Sequence, residues 1–266
     1  MLPYPLIDPV IVRLGPLQVR WYGLMYVLGF AAAVALVRHQ AKKFNLKKLA
    51  GHADNLNITL LLCLIAGGRL GYVLFYNPAY YLRHPLEILA TWQGGMSFHG
   101  GLIALIAGGY IFCRRQGLNF WQTADVYVVT MPVGLGLGRL GNFINAELFG
   151  RVTDVPWAMV FPGGGPLPRH PSQLYECLLE GVLLFTILWQ LKDVQHRRGW
   201  PAGAMLAAFL ILYGLFRSFA ELFREPDAHI GFLWGAFTMG QLLSGLMIVA
   251  GGAILFLRRK IKQNPD

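Results

Sequence analysis

The chain has 266 residues, 55% of them hydrophobic and only 14% charged, and its 23 Lys+Arg against 13 Asp+Glu give a formal charge of +10. A soluble domain carries about a quarter charged residues, so a soluble enzyme, a disordered chain and a secreted disulfide scaffold all fit poorly. Net positive charge would suit a nucleic acid, but most basic residues lie in short segments between long apolar runs, which speaks against that partner and for a polytopic membrane protein.

About 20 apolar residues cross a hydrocarbon core roughly 30 Å thick. Seven runs qualify in chain order: Tyr22–Arg38, Asn55–Tyr76, Met96–Cys113, Asp125–Leu148, Ser172–Leu191, Pro201–Phe223 and Phe232–Leu257. Lipid gives backbone groups no water to bond, so each run is expected to be helical. The expected fold is therefore all-α. It is a single seven-helix transmembrane domain over residues 1–266, with two larger external loops at 77–95 and 149–171.

Basic residues mark the cytoplasmic side. Arg38, Lys42, Lys43, Lys47 and Lys48 follow the first run, Arg114 and Arg115 the third, Lys192, Arg197 and Arg198 the fifth, and Arg258, Arg259, Lys260 and Lys262 the seventh. The other side holds only Arg13, Arg20, Arg83, Arg151, Arg169 and Arg224. The N-terminus is thus expected outside and the C-terminus in the cytoplasm. The first charged residue is Asp8, so no basic n-region of a signal peptide is present, and the first run is expected to be an uncleaved N-out segment. Cys63, Cys113 and Cys177 lack CxxC spacing and suggest neither a disulfide framework nor a zinc site.

The polar residues inside the runs cluster by depth. At 1.5 Å per residue, Arg139 lies about 21 Å along the outward-running fourth run and Arg217 about 24 Å along the sixth. Arg69 is similarly near the outer end of the second. Tyr22, Tyr26, His99, Asn142, Asn145, Glu147, Glu176, Glu180 and Glu221 share that outer half. Intramembrane charges cost free energy and mark sites by default.

Four motifs carry these residues. Gly94-Gly95-Met96-Ser97-Phe98-His99-Gly100-Gly101 starts the third run, with Ser97 placed to cap the helix and His99 suited to proton transfer near neutrality. A nucleophile elbow at Ser97 would need glycine where His99 stands. The densest block runs from Gly134 through Arg139, Asn142, Asn145 and Glu147 to Gly150 and Arg151. Gly134 and Gly138 have small-xxx-small spacing, which explains glycines but not the polar residues. His170-Pro171-Ser172-Gln173 makes a sound helix start. Glu176 and Glu180 follow as i, i+4 like charges that repel unless protonated or neutralised by an arginine from another helix, and depth offers Arg69. Tyr213, Arg217 and Glu221 share one helix face at i, i+4, i+8.

Taken with Trp21-Tyr22-Gly23-Leu24-Met25-Tyr26, these motifs resemble the prolipoprotein diacylglyceryl transferase family over essentially the whole chain. The Gly-Arg-x-Gly-Asn-Phe-x-Asn-x-Glu-x-x-Gly-Arg block is the most specific part. The resemblance implies transfer of a diacylglyceryl group from phosphatidylglycerol to the lipobox cysteine of a prolipoprotein, with release of glycerol 1-phosphate. This is the first step of bacterial lipoprotein maturation, on the outer face of the cytoplasmic (inner) membrane. It implies no metal and no soluble cofactor. The implied partners are phosphatidylglycerol, a prolipoprotein signal peptide and membrane lipid, with no nucleic acid, and the chain is expected to act as a monomer.

On that reading Arg139, Asn142 and Asn145 would grip the lipid phosphate. Arg217, positioned by Glu221, would stabilise charge on the leaving glycerol phosphate. His99 would take the thiol proton, while Tyr22, Tyr26 and Tyr213 would order the head group. Glu147 belongs to the substrate-binding set, and Gly150 would let backbone approach closely. Three alternatives remain at this stage. An anion transporter would be expected to show internal repeats and a midplane site; a retinal receptor would need a lysine in Phe232–Leu257, which has none; a phospholipase would use water in place of the thiol.

Overall fold

A computed structural model describes residues 2–15, 17–225 and 237–263. The chain divides into two compact units, Met1–Val37 with Ala124–Asp266, and Arg38–Thr123. Among the described residues, four helical stretches are long and apolar enough to cross a membrane: Trp21–Lys43, Lys47–Phe75, Ser172–Arg198 and Met239–Lys260. The helix Ala204–Ala220 is apolar but shorter. Apolar side chains such as Val27, Leu62, Ile103, Val249 and Phe256 are exposed along the helices, as they are in a helical membrane protein.

A short antiparallel hairpin, β1 (Val10–Leu14) and β2 (Leu17–Arg20), pairs Val12 with Val19 and leads into α1 (Trp21–Lys43). Its strands are too short to register among apolar runs sized for a bilayer. Helix α2 (Lys47–Phe75) follows a turn at Asn45, whose φ is +52°. An arm comes next, built of α3 (Pro78–Arg83) and two 3-10 turns, Pro85–Leu89 and Thr91–Gln93. Helix α4 (Phe98–Gln116) starts at the Ser97 cap, where Gly100 N–H donates to Ser97 Oγ at 3.2 Å, and it stops at Gly117 with φ +60°.

The run Asp125–Leu148 does not form the single expected helix. It forms α5 (Phe120–Val128) and α6 (Met131–Ile144), separated at Val129 and Thr130. Pro132 lies in the first turn of α6; its missing N–H and its ring fit a helix start and oppose continuation from the preceding turn. After α6 come α7 (Ser172–Glu176), a π-helical segment Cys177–Leu183 and α8 (Leu184–Arg198), in one continuous stretch. Helices α9 (Ala204–Ala220) and α10 (Met239–Gln263) complete the order. The first residues of the seventh predicted run, 232–236, lie outside the described residues.

The larger unit is built around Val128, Val129, Leu184, Leu188, Met205 and Phe209, contributed by the α5–α6 junction, α8 and α9. Asp125 crosses to the start of α9, where it accepts from Gly203 N–H (2.7 Å) and Leu206 N–H (2.9 Å), and it also accepts from Gln195 Nε2 of α8 (2.7 Å). It thereby satisfies donors that a helix start leaves unpaired. A second cluster, Phe143, Met159 and Phe161 with Tyr4, Phe149 and Leu174, packs apolar residues of the 149–171 loop against the end of α6, the N-terminal segment and α7.

A Cβ on Gly134 or Gly138, the pair expected from spacing, would meet nothing within 4 Å, although a Cβ on Gly29 of α1 would lie 3.2 Å from the Gly134 Cα. The contact that matters is Gly136 against Gly181, where α6 and the π-helical segment meet backbone to backbone. In the smaller unit α2 and α4 pack in the same way, with Gly71 against Gly100 and Gly67 against Ala104.

Candidate functional site

Most of the sequence-predicted residues come together in the larger unit, at the C-terminal end of α6. The helix stops at Ile144, and Ala146 and Leu148 then adopt left-handed φ of +53° and +57° on either side of Glu147. Neither is glycine, and such geometry costs about 1–2 kcal/mol per residue, so surrounding contacts must hold it. They do so from the start of α7: Ser172 Oγ donates to Leu148 O at 3.0 Å, and Gln173 Nε2 donates to Glu147 O at 2.7 Å. From the N-terminal segment, the Tyr4 hydroxyl donates to Phe143 O (2.6 Å) and Ile144 O (3.2 Å). Burial pushes the Tyr4 phenol up, which keeps it a donor. The strained turn aims Glu147 back at its own helix, where its carboxylate accepts from Asn142 Nδ2 at 2.8 Å and Asn145 Nδ2 at 3.2 Å.

The centre of the site is a pair of buried carboxylates. Glu176 and Glu180 are both fully buried. Glu176 Oε2 receives Arg139 Nε at 2.7 Å and Arg217 Nη1 at 2.6 Å, so two guanidinium groups from different helices share one oxygen. Glu180 stands 3.8 Å from Arg139 Nη2 and 3.5 Å from Arg217 Nη1. Arg217 Nη2 also pairs with Glu221, and Glu221 Oε2 accepts from the Thr238 hydroxyl at 2.8 Å. Arg224 Nη1 lies 3.8 Å from Glu176 Oε1. Three arginines and three glutamates thus compensate one another. Buried charge in a membrane helix requires such compensation.

The expected hold of Glu221 on Arg217 is therefore present. The expected Arg69–glutamate pairing is not: Arg139 and Arg217 occupy Glu176 and Glu180, whereas Arg69 donates to backbone carbonyls within the smaller unit. Depth along a span fixes height but not which helix faces which.

Tyr22 and Tyr26 join their hydroxyls at 3.0 Å. Tyr22 lies against Gly141 of α6, where a Cβ would fall 2.7 Å from its ring. Tyr213 stands one turn before Arg217 and stacks on Phe209 at 5.7 Å. Gly150 does permit a close backbone approach, and the approaching chain is the protein's own. Its N–H donates to His170 O at 2.9 Å, it bridges to Arg224, and an added Cβ would lie 2.4 Å from Phe223 O. Arg151 reinforces this seam through Nε to Arg224 O at 2.9 Å and Nη2 to Glu221 O at 3.3 Å. His170 packs against Tyr175 and Phe223, and burial lowers its pKa from the ordinary imidazole value. His99 belongs to the smaller unit, where it is the second residue of α4 and exposed.

Sequence reasoning placed Glu176 and Glu180 in the outer-half polar cluster without a part in the chemistry, and it gave Gln173, Arg224 and Tyr4 no role in the site. A signal existed for the first two, since paired carboxylates in an apolar run require partners. Among the described residues no group of three or more His, Cys, Asp or Glu side chains is placed to hold a metal ion. Arg139 and Arg217 are 17% and 13% exposed. A guanidinium has five N–H donors, so each keeps donors beyond those facing the glutamates. Two such forks beside each other suit a phosphate group.

The family model for prolipoprotein diacylglyceryl transferase matches residues 9–257. A protein of Desulfotalea psychrophila is 60% identical over 256 residues, covering 96% of this chain and 94% of its own. One from Geobacter sulfurreducens is 54% identical over 260 residues, covering 97% and 98% respectively. One from Pseudomonas aeruginosa is 48% identical over 256 residues, covering 96% and 95%. All three bear the name phosphatidylglycerol–prolipoprotein diacylglyceryl transferase.

Proposed function

Because this chain belongs to the prolipoprotein diacylglyceryl transferase family, we propose that it transfers the diacylglyceryl group of phosphatidylglycerol to the lipobox cysteine of prolipoproteins. Glycerol 1-phosphate leaves, and the product is a thioether-linked lipoprotein precursor. The observation that carries the residue assignment is the shared Glu176 oxygen, which holds Arg139 and Arg217 side by side as a preformed phosphate receptor. Two helices deliver the forks already oriented, so little reorganisation accompanies lipid binding.

The chemistry requires one bond to form and one to break. The cysteine sulfur attacks the glycerol carbon that bears the phosphate ester, and the carbon–oxygen bond to the phosphate breaks. No enzyme nucleophile is needed. Arg139, with the Asn142, Asn145 and Glu147 network behind it, grips the phosphate. Arg217, held by Glu221, balances charge growing on the departing oxygen. His99 accepts the thiol proton; a free cysteine has a pKa of about 8.5, so a nearby base raises the reactive thiolate fraction. Tyr22, Tyr26 and Tyr213 order the head group, and Gly150 lets the loop close against the chain at Phe223 and Arg224, just beyond α9.

The distribution of basic residues supports seven spans with the N-terminus outside, the C-terminus in the cytoplasm, and the site in the outer half of the bacterial inner membrane. We read the two compact units as parts of one transmembrane domain that acts as a monomer. The test is incubation of the purified protein with phosphatidylglycerol and a lipobox peptide, followed by mass spectrometry. The expected result is diacylglyceryl-peptide and glycerol 1-phosphate in equal amounts, both lost with a cysteine-to-serine peptide. Glycerol phosphate released without the thiol peptide would replace transfer by hydrolysis.

A further inference from the structure

Arg69 carries a buried charge that the chemistry above does not use. It is 4% exposed near the end of α2, and all its hydrogen bonds go to backbone carbonyls. Nε donates to Ile88 O (2.8 Å), Nη1 to Gly94 O (2.6 Å) and Gly95 O (3.1 Å), and Nη2 to Glu87 O (2.6 Å). The Tyr81 ring lies 5.1 Å away. Glu87 meets Arg69 through its backbone carbonyl, while its carboxylate accepts from the Tyr80 hydroxyl at 2.6 Å. A buried guanidinium compensated by carbonyls in place of a carboxylate is expensive. What the arrangement gains is position: one planar fork fastens the arm and the Gly94–Gly95 turn to α2.

That turn leads directly to His99. Gly94 and Gly95 adopt φ of +88° and +76°, a conformation side chains resist. Ser97 then donates its N–H to Gly68 O at 2.8 Å and caps α4. One turn into α4, Gly100 meets Gly71, where a Cβ on either would lie 2.8 Å from the other's Cα. The α2–α4 crossing is therefore tight, the turn above it is fixed by Arg69, and the exposed His99 side chain projects from the first turn of α4.

We infer that Arg69 is a positioning residue for His99, holding the Gly94–Gly95 turn so that the imidazole and the arm keep one orientation. This rests on the reading of His99 as acceptor of the thiol proton. A plain fastener would lower stability and leave catalysis by the folded protein unchanged. A positioning residue lowers turnover through His99 alone.

The test is a double-mutant cycle on full-length protein, with kcat and KM for phosphatidylglycerol and melting temperature read for R69K, H99Q and R69K/H99Q. Lysine keeps the charge but cannot span the carbonyls. The expected loss in R69K is in kcat, on the order of 10²-fold for a misplacement near 1 Å, with KM close to wild type and the double variant no slower than H99Q. G95A guards against a misfolded R69K: its Cβ would lie 2.8 Å from Arg69 Nη1 and 2.7 Å from the Tyr72 ring, and the same non-additive loss is expected. If H99Q is impaired but the losses multiply, the inference falls while the transferase reading stands. If R69K and G95A both turn over at the wild-type rate, the inference also falls. If H99Q transfers at the wild-type rate, the His99 assignment falls and takes the inference with it.

Discussion

Gly136 of α6 and Gly181 of the π-helical segment meet with no side chain between them: a Cβ added to Gly136 would sit 3.1 Å from the Gly181 Cα, and one added to Gly181 would sit 2.7 Å from the Gly136 Cα. This contact brings the two helices close enough for Arg139, one turn beyond Gly136, to reach Glu176. π-Helical turns occur often at functional sites, and here the widened turn contains Glu180.

G181A is accordingly expected to spread the crossing. Overpacking costs about 1–3 kcal/mol, so the melting temperature of the solubilised protein should fall. Transfer activity measured well below that temperature should fall too, because the Arg139–Glu176 pair lengthens. Wild-type transfer by a destabilised G181A would disconnect the crossing from the site.

R139K is expected to fold normally and to lose about 10²–10³-fold in transfer rate, the size of effect seen when one oriented donor to a developing anion is removed. Lysine retains the charge but not the paired donors. Steady-state kinetics with phosphatidylglycerol vesicles check this, and turnover within a few-fold of wild type would remove Arg139 from the phosphate site.

The two buried glutamates should differ. Glu176 hydrogen-bonds Arg217 and pairs with Arg139 at short range, whereas Glu180 makes only the longer contacts. E176Q should cost about 3–5 kcal/mol, as breaking a buried pair does, and E180Q less. Comparing their unfolding midpoints decides the ranking.

Asp125 organises the opposite end of the larger unit by capping α9. D125A should lower stability by about 1–2 kcal/mol, the usual cost of losing a cap. Hydrogen exchange should quicken first at Gly203 and Leu206, ahead of the α6 end of the unit. Uniform exchange across the unit would contradict a local role.

His170 gives a pH dependence. Its imidazole titrates below the ordinary 6.5 because burial disfavours the charged form. Between the folded and unfolded pKa values the unfolded chain binds the extra proton. The contribution of His170 is therefore intact above pH 6.5 and declines as pH falls below it. Thermal melts across pH 5–7 should show that slope, and H170Q should flatten it.

How much of this was legible in the sequence depends on distance along the chain. The described parts of the apolar runs are largely helical, with the fourth run broken between α5 and α6, since hydropathy and helix period are local properties. Arg217 and Glu221 pair as expected because positions four apart share a face. The break before α6 had its signal in Pro132, but the continuous apolar run concealed it. The Gly134 and Gly138 spacing did not reveal that Gly134 faces Gly29 of α1 or that Gly136 faces Gly181, because spacing alone does not specify a partner helix.

The sequence by itself determined an apolar helical chain, together with the local motifs that link it to its family. Only the tertiary structure decided that Arg139 and Arg217 share Glu176, that Arg69 turns to carbonyls, and that Tyr4 and Gln173 brace the strained turn around Glu147. The physical reason is that charge and helix periodicity act within a few residues. Partner choice between helices depends on where two backbones approach, and a glycine reveals that only once its neighbour is in place.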